Sequence, residues 1–177
     1  MSYHQKLKPD SASFKAKYRR IRDIPGSKTV LISVAWGVLV AMLPSLAIYG
    51  KITWTNLCLF IWIAGLVFVR TALFDILDMQ GDRLIGKETI AIMLGEKRMM
   101  RLLEVLLIML IILLPLIATF QLVSTLGFGL TLCPIFMLMV FGSYKKGYLL
   151  PGIRLEFLVE SLFILAGVIA ILWPATI

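Results

Sequence analysis

Five apolar stretches, each about long enough to cross a bilayer, constrain this chain more than anything else in it. They run from Thr29 to Tyr49, Trp54 to Leu73, Leu102 to Phe120, Leu122 to Phe141 and Phe157 to Trp173. A helix needs roughly 20 apolar residues to cross the hydrocarbon core. None of the stretches alternates as a strand does, and backbone groups facing lipid must be satisfied within their own helix. The expected fold class is therefore all-α, a polytopic transmembrane helical bundle of about five helices. Composition supports this: 60% of the residues are apolar and 16% charged, against about 45–50% and 25% in a soluble domain. A soluble globular domain, a disordered chain and a disulfide scaffold are excluded. Cys58 and Cys133 lie inside apolar stretches without metal-ligand spacing and read as small buried residues. The single histidine, His4, sits in a polar tail, which argues against histidine-based catalysis.

The net charge of +8 would point to nucleic acid in a soluble protein, but here the basic residues fall in alternate connections. Residues 1–28 hold Lys6, Lys8, Lys15, Lys17, Arg19, Arg20, Arg22 and Lys28. The 75–101 segment holds Arg83, Lys87, Lys97, Arg98 and Arg101, and the fourth connection holds Lys145, Lys146 and Arg154. The other connections contribute Lys51 alone. By the positive-inside rule, the N-terminus and the two basic loops are expected in the cytoplasm and the C-terminus outside. The lipid bilayer, taken as a cell inner membrane, is then the partner that explains the charge, and no nucleic acid is needed. The expected organisation is a basic cytoplasmic segment, 1–28, and a transmembrane domain, 29–177, with a cytoplasmic Asp-rich loop at 75–101. No apolar h-region follows Met1, so no signal peptide is expected. Phe14, Tyr18 and Ile21 have the spacing of a surface helix, and Pro25-Gly26 breaks the chain before the first span.

The stretch from Arg70 to Arg98 carries the chemistry. Asp75, Asp78 and Asp82 follow directly on a span. On a continuous helix they share one face within about 60°, provided that Gly81 does not break it. Clustered like charges repel and call for compensation, most simply by a divalent cation. Mg²⁺ prefers a few carboxylates, several waters and phosphate oxygens. Arg83 and Lys87 are placed to hold remaining phosphate charge. The competing reading is a solvated loop whose acids pair with Arg83, Lys87 and Lys97. Glu156 and Glu160, four apart, either face a cavity or pair at the interface with Lys145, Lys146 or Arg154. Pro115 and Pro134 are expected to kink their spans. No acid is expected deep within a span, which argues against an ion transporter.

Asp75-Ile-Leu-Asp78-Met-Gln-Gly-Asp82, then Gly86-Lys-Glu-Thr89 and Leu94-Gly95, resembles the second aspartate-rich motif of the UbiA superfamily of intramembrane prenyltransferases: D-x-x-D-x-x-x-D, G-x-x-T and a downstream L-G. Arg70 stands where that family often has an arginine. Tyr18-Arg-Arg-Ile-Arg22 resembles the family's Y-x-x-x-K, with Arg in place of Lys, and an early tryptophan, Trp36, follows. The resemblance covers roughly Tyr18 to the C-terminus. It implies the last five of nine helices around a central cavity. It also implies Mg²⁺ held by Asp75, Asp78 and Asp82, and an isoprenoid diphosphate bound with help from Arg83, Lys87, Tyr18, Arg22 and Arg70. The implied reaction transfers the prenyl group to an aromatic or other acceptor. The family's first motif, N-D-x-x-D-x-x-x-D, is absent, since Asp10 and Asp23 are isolated. The expectation is thus the C-terminal half of such an enzyme, inactive without a separate N-terminal half-chain. The alternative is a non-catalytic membrane module that binds prenyl diphosphate or a partner subunit.

Overall fold

The computed structural model describes residues 26–85, 89–148 and 152–173, and these are helical with short connections. Gly26, at φ 75°, turns the chain into α1 (Ser27–Gly37), so the break expected at Pro25-Gly26 ends at the glycine. A π-turn over Val38–Met42 leads into α2 (Leu43–Tyr49). A capping box formed by Thr53 and Asn56 starts α3 (Trp54–Leu77). Two short helices follow, α4 (Met79–Ile85) and α5 (Ile90–Leu94), and then the long α6 (Glu96–Thr119). The chain finishes with α7 (Leu126–Leu130), α8 (Leu132–Lys145) and α9 (Ile153–Leu172). Five helical stretches are long and apolar enough to cross a membrane: Ser27–Tyr49, Trp54–Leu77, Glu96–Thr119, Leu126–Lys145 and Ile153–Leu172.

The number of spans is the expected one, and their ends differ. The second continues to Leu77 rather than Leu73, the third starts at Glu96 rather than Leu102, and the fifth starts at Ile153 rather than Phe157. Hydropathy marks where lipid begins, whereas a helix continues for as long as its backbone bonds do, and Glu, Lys and Arg are good helix formers. The fourth starts later, at Leu126, because Gln121 takes φ 55° and a turn intervenes.

Helices α1, α3, α6, α8 and α9 pack in chain order, each against the next. On α6 the buried residues Met99, Leu103, Leu107, Leu110 and Leu114 recur every three or four positions, giving one apolar stripe. They belong to one buried cluster with Val69, Ala72 and Leu73 of α3, Met137 and Phe141 of α8, and Val159 and Leu162 of α9. Lipid is as apolar as leucine, so close backbone approach drives such packing more than water exclusion does. Gly65 of α3 permits it, since a Cβ there would stand 2.9 Å from the Leu110 side chain.

The prolines act locally. Pro44 has no N–H for the carbonyl four residues back and its ring presses on that turn, and the helix widens just before it. Asn56 Nδ2 of α3 donates to the Ala41 carbonyl oxygen in that widened turn at 3.2 Å. Pro134 falls in the first turn of α8, next to the break at Thr131, so it marks a helix start rather than a kink. Pro115 lies inside α6, which continues to Thr119.

Candidate functional site

The helices alternate in direction, so the start of α1, the end of α3, the starts of α6 and α9 and the end of α8 share one end of the bundle. The aspartates sit there. Asp75 lies in the last turn of α3, half-buried, and accepts a hydrogen bond of 2.5 Å from the hydroxyl of Thr29 in the first turn of α1. Thr29 is itself buried, and its carbonyl oxygen accepts from Ser33 Oγ at 2.7 Å. Asp78 is exposed and terminates α3, and Asp82 lies part-buried in α4. The junction keeps helical bonding: Asp78 N–H donates to Phe74 O and Asp82 N–H to Asp78 O, both at 2.9 Å. The interruption falls at Asp78 and not at Gly81, which is inside α4. Asp78, Asp82 and the Lys28 ammonium all lie close enough to Asp75 for their charges to act on it.

Among the described residues no three acids close into a metal-binding cluster. The donor set nevertheless suits Mg²⁺, which takes hard oxygen ligands and is typically held by one or two carboxylates, with waters and phosphate oxygens completing the shell. Two downstream motif positions have structural roles. Thr89 caps α5, its hydroxyl accepting from the Ile92 N–H at 3.3 Å. Gly95 separates α5 from α6 at φ 77°, ψ 151°, a region that is essentially reserved for glycine. Tyr18, Arg22 and Lys87 lie outside the described residues, as does the side chain of Arg83.

Arg70 stands apart from the aspartates. It is five residues before Asp75 on α3, about 140° around the helix. Its Nε donates to Glu160 Oε2 on α9 at 3.2 Å, and its Nη2 donates to Glu160 Oε1. The guanidinium lies 5.2 Å from the centre of the Phe74 ring and 5.7 Å from that of Phe163. Glu160 therefore pairs with Arg70 and not with Lys145, Lys146 or Arg154, while Lys145 pairs with Glu104 at 2.8 Å. Because α9 starts at Ile153, Glu160 is two turns inside its helix and not at the end. The pair lines a cavity of about 460 Å³ whose other walls include Trp36, Trp62, Leu66 and Ala166. None of the three aspartates lines it. Thr29 is the contributor that sequence reasoning missed, whereas Glu160 takes one of the two places expected for it and faces a cavity. The only trace of the first is a Thr and a Ser four apart, Thr29 and Ser33, at the start of a span.

Five apolar helices with acids gathered at one end define a polytopic helical protein of the membrane interior. The sequence model of the UbiA prenyltransferase family matches residues 14–149, and the chain belongs to that family. It is an integral membrane protein of the prenyltransferase type. No curated protein and no solved structure matches the chain.

Proposed function

We propose that the chain supplies the second aspartate-rich half of a site that transfers a prenyl group from an isoprenoid diphosphate to an acceptor. The observation that carries this reading is the Asp75–Thr29 hydrogen bond, which fixes the first motif carboxylate at the acidic end of an apolar bundle. Asp75, Asp78 and Asp82 would hold Mg²⁺, which when bound neutralises diphosphate charge and eases its departure. Asp75 is oriented by Thr29, which commits one carboxylate oxygen to that bond. Arg83 and Lys87, with Tyr18 and Arg22 of the basic segment, add donors to the diphosphate oxygens. The apolar helices hold the isoprenoid tail and keep water from an allylic cation. The proposal includes the division into segment 1–28 and domain 29–177, with the N-terminus and the aspartates on the cytoplasmic face of the cell inner membrane.

One motif of the family's two is present in these 177 residues, so the chain is proposed to need a separate half-chain carrying N-D-x-x-D and to be inactive alone. The same observation favours a second reading, a non-catalytic module that binds prenyl diphosphate. Binding of a prenyl diphosphate to the purified chain is expected to require Mg²⁺ and to fall about tenfold or more in Asp75→Asn/Asp78→Asn. Equal binding in both proteins would overturn both readings. Turnover on adding a four-helix N-D-x-x-D half selects the enzyme, whereas binding without turnover selects the module.

A further inference from the structure

The charges at the acidic end of the bundle are sorted between two sides. Asp75, Asp78 and Asp82 stand at the junction of α3 and α4. On the far side of α6, the ends of α6 and α8 meet at a seam bridged by Lys145, whose Nζ donates to Glu104 Oε1 at 2.8 Å and to Oε2 at 3.0 Å. Two further cations flank that bridge. Arg101 lies three residues before Glu104 on α6, and Lys146 follows Lys145 at the end of α8. Both are exposed, and neither has an ion pair among the described residues. Arg101 directly precedes the apolar run that begins at Leu102, and Lys146 follows the one that ends at Phe141, so both stand near the level of the lipid headgroups. Below each cation runs an exposed apolar strip. At 100° per residue, Val105, Ile108 and Ile112 lie within about 40° of Arg101, and Met139 and Leu132 lie within about 40° of Lys146. All five are exposed. Gly142 falls on the second strip, one turn below Lys146, and nothing stands within 4 Å of a Cβ placed there. The strip is therefore notched beneath the ammonium.

We propose that the seam between α6 and α8 holds one anionic glycerophospholipid, with its phosphate between Arg101 and Lys146 and its two acyl chains along the two strips. The guanidinium fork suits phosphate oxygens, and the lysine adds a compact point charge on a flexible stem. Each basic residue near a membrane surface favours anionic lipid about fivefold. A zwitterionic lipid gains less, because its own ammonium meets the same two cations. Lys145 and Glu104 neutralise each other at the centre of the seam, and the Glu104 carboxylate repels a second negative charge, so a headgroup with a single negative charge fits best. The paired strips point to a lipid and not to free phosphate, since a cation heads each strip and a diacyl lipid supplies one chain to each. A lipid seated there extends the Lys145–Glu104 link and ties the ends of α6 and α8 together. The proposal rests neither on the transferase reading nor on which side of the membrane the seam faces.

The test is native mass spectrometry of the full chain in detergent micelles, titrated with dioleoylphosphatidylglycerol or dioleoylphosphatidylcholine. The wild type is expected to bind phosphatidylglycerol about twentyfold tighter than phosphatidylcholine, the product of two cations. Arg101→Gln/Lys146→Gln is expected to bring the two lipids to equal affinity. Lys51→Gln/Arg154→Gln removes the same charge away from the seam and is expected to leave the preference intact. Gly142→Leu keeps every charge, fills the notch without crowding and is expected to weaken phosphatidylglycerol severalfold, which decides the matter even where Arg101→Gln/Lys146→Gln does not fold. Equal wild-type affinity for the two lipids would overturn the proposal, and so would unchanged binding in Gly142→Leu. An equal loss in Lys51→Gln/Arg154→Gln would reduce the effect to net charge and overturn it too. Displacement of phosphatidylglycerol by equimolar glycerol 1-phosphate would make the seam a site for free phosphate and overturn the lipid.

Discussion

Thr29 holds Asp75 from a neighbouring helix, and this one bond decides how the Asp75 carboxylate is presented. A carboxylate held by a second group presents its free oxygen in one direction, and losing such outer partners typically costs 10–100-fold in metal affinity. Thr29→Val keeps the shape and removes the hydroxyl. It is expected to lower Mg²⁺-dependent prenyl-diphosphate binding about tenfold while costing only about 1 kcal/mol of stability, the usual scale for interhelical hydrogen bonds in membranes. Unchanged binding with lowered stability would make Thr29 a packing residue only. Gly95 gives the opposite pattern. At φ 77°, ψ 151° it adopts a conformation that a Cβ penalises, so Gly95→Ala is expected to cost about 1–3 kcal/mol, read as a lower thermal midpoint by circular dichroism. Nothing stands within 4 Å of the added Cβ, so the cost is one of conformation and not of crowding.

At the scale of elements, what sequence reasoning reads well is the apolar length of a helix, and what it reads poorly is where the helix stops. Asp75 shows the consequence. Hydropathy ends the second span at Leu73 and leaves Asp75 in a loop, yet the helix runs on to Leu77 and carries the carboxylate to α1. Glu160 is misplaced for the same reason, because its helix starts four residues before its apolar run does. The motif spacing located the aspartates, since their separations follow the helical repeat and survive the break at Asp78. The partners of Asp75 and Arg70 were not legible, because Thr29 and Glu160 are 46 and 90 residues away along the chain and nothing local encodes the pairing. The π-turn has no hydropathic signature either, and Pro44 is its only mark. Helix packing offers a sharper test. Gly65→Val places a branched side chain against Leu110, where a Cβ alone would come within 2.9 Å. Overpacking of this kind costs about 1–3 kcal/mol, so α3 and α6 should separate at lower temperature or detergent concentration than in the wild type.

Across the whole molecule, the contacts at the acidic end tie one layer together. Thr29 meets Asp75, Lys145 meets Glu104, and Tyr144 donates to Glu96 at 3.4 Å, so α1 is joined to α3 and α6 to α8 there. The opposite end carries Lys51, the exposed Trp54, and Trp173, whose Nε1 donates to Thr125 at 3.2 Å, as an aromatic belt does. Because every helix passes between the same two layers, orientation is a single choice for the bundle, and moving one loop to the other side would invert all five spans. The basic residues bias that choice toward a cytoplasmic acidic end. In a Cys58→Ala/Cys133→Ala background, Ser143→Cys should react with a membrane-impermeant thiol reagent only when the reagent reaches the cytoplasmic face. Lys51→Cys should react only from the outside. Both positions reacting from the same side would contradict the alternation of the spans. Opposite sides in the reverse sense would keep the bundle and overturn the proposed cytoplasmic placement of Asp75, Asp78 and Asp82.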